Sequence, residues 1–313
     1  MTTRVEAETY YVKPLLPDNN QGSETSYYDL LMEAGQSQTI QLEIVNHTST
    51  NKVFSVDIVD SLTTNSGAIG YDKKGNYDST LKYKFTDSAS ALKEVRIKAM
   101  ESQIIDVTLE MPKEQFDGLM IGGIHISEMK ETKETGGIDN VFSYIVPVKI
   151  HETEKDFPNQ LTFSDIKIKK NNQIAVKIQN PNPNILSDIT LQATIYKKGY
   201  QGAVYEHTMK NIQIAPNSNF FPLIILEEEQ LDAGKYEIEF YAANEKFQEK
   251  WKSEFTISKN QVANSNDGFV INKKTLSWKS YGVLGTSFIL IAFILIILMM
   301  QKKRYPKTNK KKK

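Results

Sequence analysis

The 313-residue sequence has no cysteine and few of the residue patterns that build catalytic or metal sites. Without cysteine it cannot form disulfide bonds, so its folded domains must be stabilised by burial of apolar side chains. Its four histidines are isolated and lie outside the spacings of zinc sites, and the sequence contains no phosphate-binding loop, dinucleotide fingerprint or serine-nucleophile elbow. We therefore predict no metal, no cofactor and no catalytic residue.

A strong net charge is also absent, because the 38 basic and 38 acidic residues balance. The balance hides a split along the chain, since eight of the basic residues and none of the acidic ones follow Met300. The preceding part is acidic, with 30 basic against 38 acidic side chains. This surplus of negative charge argues against nucleic acid as a partner.

One long apolar run interrupts the otherwise polar sequence. The segment from Tyr281 to Met300 contains no charged residue, and twenty helical residues span about 30 Å, the thickness of the hydrocarbon core of a bilayer. Lysine and arginine follow at once, which by the positive-inside rule places a basic tail, residues 301–313, in the cytoplasm. We predict a single-pass membrane protein with a transmembrane helix at 279–300 and an extracellular ectodomain within the cell wall.

An outward-facing ectodomain needs an export signal, and residues 1–7 contain no apolar segment of that kind. The sequence Val5-Glu6-Ala7 does fit the small-x-small pattern that precedes a signal-peptidase cut. We expect residues 1–7 to be a processed or remnant N-terminus, either because the reading frame begins upstream or because this copy has lost its signal.

Alternation of apolar and polar residues runs through residues 8–150 and predicts a first β-sandwich domain. The pattern is clear in 39–45, 53–59, 94–98 and 104–109, and turn signals rich in glycine and asparagine separate these segments. A later predicted strand at 141–148 contains Pro147, which favours the edge of a sheet because proline donates no hydrogen bond.

The same pattern returns in residues 151–258, where about seven short strands in about 100 residues favour an immunoglobulin-like sandwich. Residues 259–278 are rich in asparagine, serine and lysine and are typical of a flexible stalk. The predicted fold class is therefore all-β, with two immunoglobulin-like β-sandwich domains and one C-terminal transmembrane helix.

Tyrosine is abundant, with 15 residues in the chain, and a tyrosine ring offers sugars an apolar plate with a polar tip. The polar segment from Thr63 to Tyr71 carries such groups, although it is more typical of a plain loop between strands. We select Asp29, Asn65 and Tyr71 as candidates for glycan contact, because loops on a rigid sandwich commonly form recognition surfaces.

Several strings of residues, taken together and in order, resemble the WxL-interacting proteins of Gram-positive bacteria. In the first half these are 11–21, 28–30, 34–36, Thr64-Asn65 with Gly67 and Tyr71, Met111-Pro112 and 116–124. In the second half they are 179–183, 215–218 and 234–236, followed by the apolar span and its basic tail. The resemblance extends over nearly the whole chain.

The resemblance implies a non-enzymatic surface scaffold or adhesion protein, whose first domain binds peptidoglycan and whose second domain binds a host protein. It also implies a secreted WxL-domain protein as a partner. The chain is not that partner itself, because Trp251 and Trp278 are each followed by Lys-Ser and no Trp-x-Leu occurs. The alternative is a membrane-anchored enzyme that modifies the cell wall, a glycan hydrolase or transferase, since a carboxylate pair is a spatial arrangement that sequence alone does not show.

Overall fold

A computed structural model describes residues 9–23, 26–73, 75, 77–129, 142–153, 155–169, 173–225 and 231–258. Of these residues 60% lie in strands and 2% in helix, which confirms the prediction of an all-β fold. No helix in these ranges is long and apolar enough to cross a membrane. The predicted N-terminal remnant at 1–7, the stalk at 259–278, the transmembrane helix at 279–300 and the tail at 301–313 lie outside the described residues.

In the first half of the chain, the described residues form ten strands and one short helix. In order these are β1 Tyr10–Leu15, β2 Tyr28–Leu31, β3 Ser37–Asn46, β4 Lys52–Thr63, β5 Ile69–Asp72, α1 Phe85–Ser88, β6 Ala89–Ala91, β7 Glu94–Ile97, β8 Ser102–Glu110, β9 Leu119–Glu128 and β10 Ser143–His151. One sheet has the order β1-β3-β8-β6, and the other has the order β2-β10-β9-β4-β5 with β7 also paired to β4. All pairs are antiparallel except β2 with β10, which are parallel.

The two sheets enclose a single hydrophobic core, the arrangement of a β-sandwich. Strand β3 shows how the sequence produces it, because Ile40, Leu42 and Ile44 are at most 1% exposed while the residues between them face outward. This alternation is the period of two that the sequence displays. Fully burying each such side chain contributes roughly 1.5–3 kcal/mol.

A glycine in β9 makes room for an aromatic ring in this core. A Cβ atom at Gly122 would lie 2.1 Å from Cδ1 of Phe85, so only glycine leaves space for that ring. Phe85 is the first residue of α1 and is 1% exposed. The short helix therefore serves to deliver a phenylalanine between the two sheets.

The residues that the structure describes in the second half form eight strands: β11 Thr162–Lys169, β12 Gln173–Asn180, β13 Leu186–Lys197, β14 Ala203–Ile214, β15 Ser218–Phe220, β16 Leu223–Ile225, β17 Gly234–Ala243 and β18 Gln248–Ile257. Strands β11, β12, β15 and β16 make one sheet, and β14-β13-β17-β18 make the other. A second core separate from the first lies between them. Phe163, Phe240 and Trp251 pack together in this sandwich, with ring centroids 5.8–6.0 Å apart.

Polar groups join the two sandwiches directly. The Thr63 and Ser218 hydroxyls lie 2.6 Å apart, and Thr63 Oγ1 also accepts a 3.0 Å hydrogen bond from the Ala215 amide. Close by, the amide of Leu119 donates to Pro183 O at 2.7 Å. Gly118 permits this approach, because a Cβ atom there would lie 2.3 Å from the same oxygen.

The side chain of Asp78 is fully enclosed at this junction, with no exposed surface. It accepts hydrogen bonds from Thr80 within its own loop, from Gln179 at 2.7 Å and from Asn219 at 2.5 Å. Burial alone would raise the pKa of Asp78, but these hydrogen bonds to the ionised form outweigh burial and lower it. A carboxylate of the first sandwich is thus held by amides of the second.

Candidate functional site

The face of the β2-β10-β9-β4-β5 sheet that points away from the core carries a set of side chains in register. Lys149 of β10 is paired with Asp29 of β2 on one side and with Ile121 of β9 on the other. Farther across the sheet, Ser61 of β4 is paired with Tyr71 of β5. We call this surface the outer face. With strands about 4.8 Å apart, Asp29 and Tyr71 lie about 19 Å from each other across it.

The middle of the outer face is apolar, although it takes no part in the core of the first sandwich. Val59 and Ile121 are only 4% and 7% exposed, whereas Ile145 is 39% exposed. Outward positions of a sandwich strand are normally polar, so buried aliphatic residues there need a separate explanation. We call Val59, Tyr71, Ile121, Gly123 and Ile145 the outer-face patch.

Gly123 explains how two members of the patch come together. A Cβ atom on Gly123 would lie 2.9 Å from Cγ2 of Ile145 and 3.2 Å from Cδ1 of Tyr71. The two side chains therefore close over the glycine from opposite sides of β9. Glycine within a strand commonly marks a close approach of this kind, and here Ile145 and Tyr71 occupy the space that a side chain would take.

Tyr71 is half-buried in this arrangement, and desolvation raises the pKa of its hydroxyl. The phenol therefore stays protonated at neutral pH and can donate a hydrogen bond. Within the part of the chain that the structure describes, no residue is hydrogen-bonded to it. A ring with an unused donor beside the exposed Ile145 suits a ligand that presents flat apolar faces edged with hydroxyls.

Charged groups border the patch on two sides. Lys149 Nζ lies 2.6 Å from Asp29 Oδ2, and His151 Nε2 lies 3.6 Å from the other oxygen of the same carboxylate. On the opposite side Lys73 forms an ion pair with Asp57. The site is thus an apolar strip with a polar border, a common arrangement of recognition surfaces.

The structure brings two of the three sequence-predicted candidates onto one surface and places the third elsewhere. Asp29 and Tyr71 both belong to the outer face. Asn65 lies in the exposed turn after β4, where its Oδ1 atom accepts a 3.0 Å hydrogen bond from the amide of Phe221 in the second sandwich. Asn65 therefore helps to join the two sandwiches, and glycan contact by all three residues remains a prediction.

Sequence reasoning missed the residues that give the patch its character. Val59, Ile121 and Ile145 alternate with core residues in ordinary strand patterns, so nothing in the sequence marks their outward faces as apolar. The available signal was the pair Gly122-Gly123, since two glycines inside a strand imply close contacts on both of its faces. Among the described residues, no group of three or more histidine or acidic side chains could hold a metal ion.

The fold and the outer face define a modular all-β protein with two sandwiches and a surface suited to binding. Family models identify it further: the model of the WxL Interacting Protein peptidoglycan-binding domain matches residues 10–128, and that of the WxL Interacting Protein host-binding domain matches residues 133–267. The chain belongs to the WxL-interacting protein family. Both descriptions name binding, and neither names a catalytic activity.

Comparisons with curated proteins and with solved structures do not extend this assignment. No curated protein matches the sequence. The YadV chaperone is 10% identical and is matched over 79% of this chain and 100% of its own, with a TM-score of 0.33. The CsuC-CsuE chaperone–tip adhesion subunit complex of Acinetobacter baumannii is 11% identical over 69% of this chain and 90% of its own, with a TM-score of 0.34. Neither likeness supports a functional conclusion.

Proposed function

We propose that this protein is a non-enzymatic scaffold of the Gram-positive cell surface. In this proposal the first domain, residues 8–150, binds peptidoglycan, and the second, residues 151–258, binds a host protein. A secreted WxL-domain protein is the further partner that the family name implies. The segment from Tyr281 to Met300 would anchor the chain in the membrane, a role that rests on its apolar sequence and the basic tail behind it.

The outer-face patch is the observation that supports peptidoglycan binding most directly. It combines a half-buried tyrosine, the exposed Ile145 and two enclosed aliphatic side chains, Val59 and Ile121, on the side of the sheet remote from the core. Sugar rings have apolar faces that can pack on the members of the patch that reach the surface, Ile145 and the ring of Tyr71. Their hydroxyl and N-acetyl groups can reach Asp29 and Lys149 at the border of the patch. Asp29 and Tyr71 then act at opposite ends of one glycan site.

Binding to purified sacculi tests the proposal. The full chain, kept in detergent, is mixed with sacculi, and the bound fraction is measured after sedimentation. Tyr71→Ala removes the ring and should weaken binding at least about tenfold, equivalent to about 1.4 kcal/mol. Tyr71→Phe keeps the ring and should retain most of the affinity. Tyr200→Ala is the matched control, because Tyr200 is an exposed tyrosine of the second sandwich, 66% accessible to solvent.

Two results would count against the proposal. Unchanged binding by Tyr71→Ala, with an unchanged urea midpoint, would remove the outer face as the glycan site. A fall in turbidity of wall fragments after the wild-type chain is added would instead support the alternative of a wall-modifying enzyme.

A further inference from the structure

A cleft of about 930 Å³ lies between the two sandwiches, within the upper part of the range usual for ligand sites. The end of β10 and the linker that follows it form one wall. The β12–β13 and β17–β18 turns of the second sandwich form the other. We call this space the junction cleft. It continues the outer face, because Asp29, Lys149 and His151 belong to both.

Charges of both signs line the junction cleft. Asp156, Asp188, Glu245 and Lys246 all contribute to the lining, and within the described ranges none of the four takes part in an ion pair. Lys155, by contrast, is paired with Asp117 at 2.6 Å. The cleft therefore offers unneutralised carboxylates and an unneutralised ammonium within one space. A ligand that carries both an amine and a carboxylate would complement it.

Two lining residues hold buried oxygen atoms without a hydrogen-bond partner among the described residues, namely Thr153 Oγ1 and Asn184 Oδ1. Leaving such an atom unpaired costs about 1–3 kcal/mol, so a native structure usually provides it with a partner. Both oxygen atoms are enclosed by the protein, so the groups that a ligand meets in the cleft are the charged side chains.

The backbone at the edge of the cleft is held in an uncommon conformation. Asp188 has φ +58°, in the left-handed region, and it lies at an irregularity in the pairing of β13 with β14 between Leu186 and Ile189. Bulges and strained residues often occur where a side chain must be directed to a ligand. Here they accompany a carboxylate that lines the cleft.

We propose that the junction cleft receives the peptide stems of peptidoglycan whose glycan strand lies on the outer face. This inference rests on the proposed function. A peptide stem supplies the ammonium and the carboxylates that the cleft complements, whereas a glycan strand supplies mainly hydroxyl groups. The shared residues Asp29, Lys149 and His151 place the cleft where a branch leaving the glycan strand would enter it.

The test measures the affinity of the full chain, kept in detergent, for two forms of the wall polymer. One form is intact sacculi, and the other is the glycan strand after an amidase has removed the stems. Wild-type protein should bind the intact form about fivefold more tightly. The double variant Asp188→Asn/Lys246→Ala should bind both forms with the affinity that wild type shows for stripped glycan. Lys210→Ala is the control, because Lys210 is exposed on β14 and does not line the cleft.

Equal wild-type affinity for the two forms would overturn the inference and leave glycan binding intact. The inference would also be overturned if Asp188→Asn/Lys246→Ala kept the wild-type preference for intact sacculi. Failure to bind either form would instead remove the proposed function together with the inference. Both substitutions are at the surface, and Asn tolerates the left-handed conformation at position 188, so an altered urea midpoint is not expected.

Discussion

Asp78 and Asn219 are separated by 141 residues, yet Nδ2 of the asparagine donates a 2.5 Å hydrogen bond to Oδ2 of the aspartate. The bond crosses from one sandwich to the other and lies beside a second one from Gln179. Because the carboxylate has no exposed surface, no water can replace these donors. The pairing makes the stability of each sandwich depend on its contact with the other.

Replacing this carboxylate should therefore weaken the whole molecule. Asp78→Ala leaves the amides of Gln179 and Asn219 without their acceptor, and we expect the free energy of unfolding to fall by about 3 kcal/mol. Urea unfolding followed by tryptophan fluorescence measures the loss. Asp87→Ala, at an exposed position in α1, should change it by less than about 0.5 kcal/mol. Equal effects of the two variants would contradict the prediction.

Ionisation of Asp78 should make the free energy of unfolding depend on pH. The pKa of Asp78 is lower in the folded protein than in the unfolded chain, where it is about 3.9. The ionised carboxylate therefore stabilises the fold above that pH, and this stabilisation is lost as pH falls through the folded-state pKa. The difference in unfolding free energy between wild type and Asp78→Asn should shrink from about pH 6 to about pH 2. A difference that stays constant over this pH range would show that Asp78 does not cause the loss of stability at low pH.

The first glycine of the Gly122-Gly123 pair should matter for stability. A Cβ atom in Gly122→Ala would collide with Phe85, and overpacking of this kind costs about 1–3 kcal/mol. The second substitution Phe85→Leu should recover part of the loss by providing room. Gly234→Ala is the control, because its nearest neighbour would lie at an ordinary 3.5 Å. The midpoint of thermal unfolding is measured for wild type, Gly122→Ala, Gly122→Ala/Phe85→Leu and Gly234→Ala. A Gly122→Ala variant as stable as wild type would show that the Phe85 ring can move aside.

The second glycine should matter for binding. Gly123→Ala would push Ile145 and Tyr71 apart on the outer face without entering the core. We expect about a fivefold loss of affinity for sacculi and a loss of unfolding free energy below about 1 kcal/mol. Gly122→Ala, by contrast, should chiefly lower the unfolding free energy. Sedimentation with sacculi and urea unfolding, run on the same preparations, separate the two effects. If Gly123→Ala binds as wild type does, the close packing of Ile145 and Tyr71 over the glycine plays no part in recognition.

Local patterns in the sequence predicted the strands well, because period-two alternation reflects a two-faced environment that each strand meets on its own. Residues 39–45 fall within β3, and 53–59 fall within β4. Pro147 was expected at a sheet edge. Strand β10 lies inside its sheet, but β2 pairs with it only from Val148 onward, so Pro147 has a partner strand on one side only.

Contacts between distant segments could not be predicted in the same way. Asn65 resembled a free recognition residue because its local sequence is polar, but its partner Phe221 is 156 residues away. The apolar outer face was hidden for a similar reason, since it forms only when β10, β9, β4 and β5 are placed side by side. Alternation shows which residues share a face of a strand, but it does not show what the neighbouring strands contribute to that face.

The parallel pairing of β2 with β10 has a practical consequence for dividing the chain into fragments. The peptidoglycan-binding family model ends at residue 128, before β10, yet β10 is the strand between β2 and β9. A fragment cut there would expose an unpaired edge along β9 and would remove Val146, Val148 and Ile150 from the interior. Such a piece should aggregate on expression, and the shortest soluble version of the first sandwich should extend through His151.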